Sequence, residues 1–262
     1  LIGVLTDHVH TPRAIAKRMM EYHLDKDYTM RVAEHLGNPK KEKIYNIYSI
    51  EEISEMSFSC PNCVLLMKAP NSTQQRPALG IPDTKFVLLN DRAKMITKAQ
   101  IREIDLSLLE LHNSRTFWDI GACTGSVSIE ARRQYPHLNI QAFEVREECK
   151  DIIRANARLQ SAPGIDLHIG NFLNLPIAED AIVDAVFIGG HGGKLKEIIC
   201  KVASHLDKLK GKIVFNSVSE ESNKLFREAV EENDLKLHSE MNITVDTNNP
   251  ITILCATGKY HV

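Results

Sequence analysis

The stretch Phe117-Trp118-Asp119-Ile120-Gly121-Ala122-Cys123-Thr124-Gly125-Ser126-Val127 decides how this chain is read. A short apolar run ends in an acid, passes through a loop of small residues and enters residues 127–133, whose apolar positions have helical spacing. Strand, glycine turn and helix in that order set the first backbone N–H groups of a helix beside the carboxyl edge of a parallel sheet. Open α/β sheets bind their ligands there. A D-x-G-x-x-x-G loop does not by itself say what it holds; the elements around it do.

The chain has 262 residues, enough for one large domain or two ordinary ones. With 43% hydrophobic and 25% charged residues, its composition is that of a soluble globular protein. A net charge of −2 supplies no basic field, so nucleic acid is not an expected partner. No apolar run approaches the ~20 residues that span a bilayer, so a membrane is not expected either. The opening residues meet Asp7 too soon for a signal peptide, and six scattered cysteines do not make a disulfide framework. A cytoplasmic location is the expectation. Leu1 stands inside what reads as a buried strand with no methionine before it, so the expectation is a longer protein that has been truncated or whose beginning is missing. No metal is expected: Cys60-Pro61-Asn62-Cys63 has neither a second C-x-x-C nor a histidine pair at ligand spacing. Asp7, His8 and His10 read as a solvated loop before a helix cap.

Residues 1–68 read as a small α/β unit. Ile2-Gly3-Val4-Leu5-Thr6 is a strand, and Thr11-Pro12 supplies an N-cap with proline at the first helical position. Strands follow at 28–32, 44–47 and 64–67, with a short helix opening at Ser49. About 70 residues give a thin core for an independent domain. Residues 69–78 are polar, with Pro70 and Pro77 and no hydrophobic period, and read as a linker.

Residues 79–262 read as the main domain. Thr97-Lys98-Ala99-Gln100 has capping-box spacing, with Thr97 as N-cap of a helix striped by Ile101, Ile104, Leu108 and Leu111. After the glycine loop, strand 139–143 ends at Glu144, an acid placed to accept hydrogen bonds from ribose hydroxyls. Strand 165–169 ends at Gly170-Asn171-Phe172, where an amide could bond an adenine edge and a ring cover its face. Strand 185–188 ends in Gly189-Gly190-His191-Gly192-Gly193, and strand 212–216 follows a helix. The last two strands, around 237–245 and 251–256, are joined by too short a connection for a parallel crossover and should pair antiparallel. A seven-stranded, mainly parallel sheet closed by a hairpin, with no G-x-G-x-x-G, is the arrangement of class I methyltransferases that use S-adenosyl-L-methionine (SAM).

Two family resemblances sharpen this reading. Gly3-Val4-Leu5-Thr6-Asp7, the run from His10 to Ala16, Glu34-His35-Leu36-Gly37 and Asn62-Cys63-Val64-Leu65-Leu66 resemble the C-terminal half of the C5-methylating tetrapyrrole methylase part of precorrin-6Y methyltransferases. Gly80-Ile81-Pro82-Asp83, Met95-Ile96-Thr97-Lys98, the central loop and Val186-Phe187-Ile188-Gly189-Gly190-His191-Gly192-Gly193 are similar to the C15-methylating, decarboxylating component, the precorrin-8w decarboxylase type. The two activities are often fused in this order. The resemblance implies SAM as cofactor, a precorrin-type tetrapyrrole as substrate, cobalamin biosynthesis as setting, and a homo-oligomer, a tetramer. The implied cofactor site comprises Thr97, Asp119, Gly121, Ala122, Thr124, Gly125, Ser126, Glu144, Asn171, Phe172, Gly189 and Gly190. Arg92, Lys94, Gly192, Gly193 and Lys194 are the expected substrate contacts, and His191 and Lys98 the catalytic candidates.

Cys123 stands where that family's loop usually has its middle glycine, and Asn171 where an acid is common; a cysteine costs more than glycine if its position needs a positive φ. Methyl transfer from a sulfonium to a carbon of the macrocycle asks for alignment rather than a protein nucleophile. The residues alone leave two alternatives open: a methyltransferase for another small molecule or RNA on the same fold, and a non-catalytic assembly module.

Overall fold

The structure, a computed structural model, describes residues 1–69, 78–92, 95–246 and 249–260. Two compact units divide the chain, Leu1–Pro77 with Arg158–Ser161 and Ala78–Ala157 with Ala162–Val262.

The first unit runs β1 (Ile2–Leu5), α1 (Pro12–Glu21), β2 (Tyr28–Glu34), β3 (Lys43–Tyr48), α2 (Ile50–Glu55) and β4 (Asn62–Lys68). Its sheet is antiparallel, in the order β1-β4-β2-β3. The Thr11 hydroxyl accepts from Ala14 N–H at 3.1 Å, with Pro12 opening the helix. Ser49 and Glu52 form a reciprocal capping box on α2. Ala16, Met19, Ile50 and Ile53 of the helices close on Met30, Val32, Val64 and Leu66 of the sheet. β1 differs from the expected buried strand: it is an edge strand paired only with β4, and Ile2 and Leu5 are exposed. A short apolar run reads the same on an edge as in a core. Cys60 and Cys63 are both free thiols. The expected linker falls mostly on residues 70–77, outside the described residues.

The second unit runs α3 (Ala99–Leu108), β5 (Thr116–Ile120), α4 (Ser126–Gln134), β6 (Asn139–Glu144), α5 (Cys149–Leu159), β7 (Ile165–Ile169), β8 (Ala185–Ile188), α6 (Leu195–His205), β9 (Lys212–Ser217), α7 (Glu220–Glu232), β10 (Leu235–Ile243) and β11 (Ile251–Gly258). The seven strands lie in the order β10-β11-β9-β8-β5-β6-β7. β5 to β9 pair in parallel, and β11 runs antiparallel to both β9 and β10. The central strands are apolar on both faces because helices cover both. Phe117, Ala185, Phe187 and Val214 pack in the layer that holds Ile101 of α3 and Val127 of α4. Trp118, Val186, Ile188 and Phe215 pack in the layer that holds Ile199 of α6 and Phe226 of α7. The alternation is the period-2 signature of a strand.

One cap differs from expectation. The N-cap of α3 is Lys98, not Thr97, and no side chain caps it. The Thr97 carbonyl is instead taken by the guanidinium of Arg102, a fully buried residue that also binds Asp83 at 2.9 Å and the Ile81 carbonyl. Glu130 of α4, equally buried, lies 3.4 Å from Arg102 Nε and accepts from Gly80 N–H at 2.8 Å and Ile81 N–H at 3.0 Å. This buried charge cluster, rather than a hydroxyl cap, fastens the entry segment that precedes α3, from Gly80 on, to α3 and α4.

Candidate functional site

β6 and β7 follow β5 on one side, and β8 and β9 lie on the other, so the strand order reverses at β5. The crevice at such a switch point is where open α/β sheets bind ligands. Here the strand ends open on a cavity of ≈ 1020 Å³. Its floor is the meeting of two loops. Gly121 N–H donates to the Phe143 carbonyl and Gly189 N–H to the Ile120 carbonyl, each at 2.8 Å. A Cβ on Gly121 would come within 2.6 Å of Gly190 N, and Gly121 has φ +78°. Only glycine allows this approach.

Asp119 is wholly buried, and its Oδ2 accepts from Ser128 N–H at 3.1 Å and Ser128 Oγ at 2.6 Å. Its Oδ1 is buried without a partner among the described residues, as is Thr124 Oγ1. Burial pushes the Asp119 carboxyl up to about 6, against the pull of the Ser128 hydrogen bonds. Glu144 is 2% exposed and fully engaged. Arg146 binds both its oxygens, and Cys123 N–H donates to Oε2 at 2.8 Å. Burial alone would raise the Glu144 carboxyl, but these bonds outweigh it and hold the group below the ordinary carboxylate range. Cys123 does take a positive φ, 52°, the strain that its place in the loop foreshadows. Its thiol is raised by burial, and that of neighbouring Cys149 is pushed up to about 12. Asn156, buried on α5, bonds both backbone groups of Val87 and the Thr124 carbonyl, tying the glycine loop to the entry segment.

Of the expected cofactor residues, Thr97, Asp119, Gly121, Ala122, Thr124, Ser126, Glu144, Asn171, Phe172, Gly189 and Gly190 line the cavity, and Gly125 does not. Gly125 is the N-cap of α4. Phe172 is mostly buried, edge-on to Trp118 and Phe143, and the side-chain amide oxygen of Asn171, Oδ1, accepts from Leu173 N–H. His191, Lys98, Gly192 and Lys194 line the cavity too; Arg92 and Gly193 do not, and Lys94 lies outside the described residues. Lys98 sits 3.4 Å from Asp83, and Lys194 is 3.2 Å from Glu197. His191 Nδ1 accepts from Gly193 N–H at 3.2 Å, and Nε2 lies 3.4 Å from Ser222 Oγ. Burial lowers its pKa, favouring the neutral ring. Both ring nitrogens therefore have partners within the protein, which fits an anchor between the glycine-rich loop and α7 better than a proton carrier. Arg146 and Asn216 also line the cavity and Asn156 braces the loop beside it, and no motif or spacing in the sequence marks any of the three.

Sheet order, terminal hairpin and paired glycine loops define the class I methyltransferase fold. Residues 89–254 match the family model described as precorrin methyltransferase domain, and the chain belongs to that family. It is 35% identical over 127 residues to a Salmonella typhimurium protein named cobalt-precorrin-6B C(15)-methyltransferase (decarboxylating), a match covering 48% of this chain and 64% of that one. It is 31% identical over 160 residues to a Sinorhizobium precorrin-6Y C(5,15)-methyltransferase [decarboxylating], covering 60% of this chain and 37% of that one. The chain thus spans less than two thirds of the length of these relatives. A crystal structure of a Geobacter metallireducens precorrin-6y C5,15-methyltransferase matches with TM-score 0.62 and 32% identity, covering 70% of this chain and all of that one. Among the described residues no helix is long and apolar enough to cross a membrane.

Proposed function

We propose that the chain is a SAM-dependent C-methyltransferase that methylates a precorrin-type tetrapyrrole at C15 with loss of carbon dioxide from an acetate side chain. The carrying observation is the Gly121–Gly190 apposition at the switch point, in a family whose relatives bear that activity in their names. The residues present fit the cofactor. Asp119 Oδ1 and Thr124 Oγ1 are buried groups lacking partners, suited to the ammonium and carboxylate of the methionine part. Glu144 suits the ribose hydroxyls, for which Arg146 must yield one carboxylate oxygen or share it. Bound there, the cofactor supplies an electrophilic methyl group. The protein's part is to hold donor and acceptor in line and keep water out. By the same reading, residues 1–68 are the C-terminal half of a C5 tetrapyrrole methylase, joined through 69–78 to the 79–262 domain, and the protein is a cytoplasmic homo-oligomer, a tetramer.

Calorimetric titration with S-adenosylhomocysteine tests this. One site per chain is expected, weakened about tenfold or more in Glu144→Ala by loss of a charged hydrogen bond. Two sites would mean that the first unit also binds cofactor. No binding would favour a non-catalytic assembly module, with Cys123 the first suspect.

The same titration run against pH probes Asp119. An ammonium needs the ionised carboxylate, so apparent affinity should fall about tenfold per pH unit below about 6. Stability moves the other way. A carboxyl raised in the folded state binds its proton more tightly there. Its contribution is complete below its ordinary value of 3.8 and is lost as pH rises through about 6. Affinity flat from pH 7 down to 5 would take Asp119 out of the cofactor site.

A further inference from the structure

A second pair of polar residues, at the β9 side of the same cavity, belongs to no part of the proposed cofactor site. Asn216, the penultimate residue of β9, lines the cavity wall, and Asp105 lies wholly buried on α3. The Asn216 amide donates from Nδ2 to Asp105 Oδ2 at 2.7 Å. The other two oxygens, Asp105 Oδ1 and Asn216 Oδ1, are both buried and both lack a partner among the described residues. Buried acceptors with no donor are costly, and a single proton between these two oxygens would satisfy both. Placed on Asp105 Oδ1 and donated to Asn216 Oδ1, it would close an acid–amide ring of two hydrogen bonds. Burial, opposed by the Asn216 hydrogen bond and the charge of Arg102, holds the Asp105 carboxyl well above the ordinary carboxylate range.

We infer that Asp105 is a neutral, positioning acid that fixes the amide plane of Asn216, and that Asn216 turns its remaining N–H to the cavity to anchor a carboxylate of the acceptor. The ring uses the Asn216 oxygen and one amide hydrogen, so the only donor left on that side chain points away from Asp105. A donor without a formal charge recognises a carboxylate by direction rather than by field. On an acceptor bearing several acidic side chains, it selects the one that reaches the β9 end. This inference rests on the tetrapyrrole reading above and adds to it a recognition element for one side chain.

Two measurements test it. Isotope-edited infrared spectra of the full chain should show a protonated carboxyl band that disappears in Asp105→Asn; its absence from the unmodified protein would overturn the neutral-acid ring without reference to any substrate. The second is fluorescence titration of the S-adenosylhomocysteine-saturated protein with uroporphyrin III, which carries acetate side chains, and coproporphyrin III, where methyls replace them. The unmodified protein should prefer uroporphyrin, and Asn216→Leu should reduce that preference about tenfold with cofactor affinity unchanged. Asp105→Asn, which can rebuild both ring bonds without a proton, should keep the preference, whereas Asp105→Leu should lose it. A preference untouched by Asn216→Leu would overturn the anchor alone. Cofactor binding with no affinity for either porphyrin would overturn the tetrapyrrole reading, and the anchor with it.

Discussion

Gly121→Ala is expected to abolish S-adenosylhomocysteine binding, with a loss of at least ~100-fold, while the protein still unfolds cooperatively. The added Cβ would meet Gly190 at N, O and Cα, at 2.6, 2.8 and 2.9 Å. All three are backbone atoms, so no rotamer change relieves the clash, and the φ of +78° adds strain of its own, about 1–3 kcal/mol. The two loops must part, and the cavity floor goes with them. The reciprocal change is the control. A Cβ on Gly190 would find only Gly121 Cα, at 4.0 Å, so Gly190→Ala should leave the loops in place. Equal, tight binding by the two variants would show that the apposed loops do not carry the cofactor.

The largest loss of stability should follow Arg102→Leu. The guanidinium is 0% exposed and gathers Asp83, Glu130 and the carbonyls of Ile81 and Thr97. Leucine fills part of the space but leaves Glu130 charged, buried and short of its cation. Breaking one side of a buried pair costs about 3–5 kcal/mol. Chemical denaturation should show that loss as a lower midpoint at unchanged slope. Arg227→Ala, which removes an exposed pair with Glu240, should cost about 0–1 kcal/mol. Comparable midpoints for the two variants would mean that the interior cluster does not hold the entry segment.

What could be read from the chain was local. Thr11-Pro12 and Ser49 with Glu52 announce their helices because cap and partner lie within one turn. The parallel strands are visible as unbroken apolar runs, and Asp119, Gly121, Glu144 and the Gly189-Gly190 pair are legible because each sits at the end of such a run. Arg102 was not legible, since an arginine in an amphipathic helix ordinarily reads as solvated, and its partners are backbone carbonyls and an acid from other elements. Thr97 misled for the same reason: the capping spacing is present, but tertiary contacts with Arg102 set where the helix begins. Arg146 looks like any charged residue until its two-residue reach back to Glu144 is seen. Asn216 acquires meaning only through Asp105, 111 positions earlier. The exposed face of β1 illustrates the converse, a local pattern whose burial is decided by neighbours.

The order β10-β11-β9 bears on how the main domain is made. From β5 to β9, each strand leaving the ribosome finds its neighbour already synthesised, and the sheet can grow at either edge as the chain emerges. β10 breaks that sequence. Its one partner is β11, which comes out later and must enter between β10 and β9, burying Ile253, Leu254, Cys255 and Ala256 completely. Until Ile251–Gly258 is free of the exit tunnel, one margin of β9 and the whole of β10 stand unpaired and open to association with other nascent chains. The nascent domain is therefore most in need of a chaperone after β10 has emerged and before β11 has, and a stop within β11 should yield aggregate rather than a shortened, folded domain.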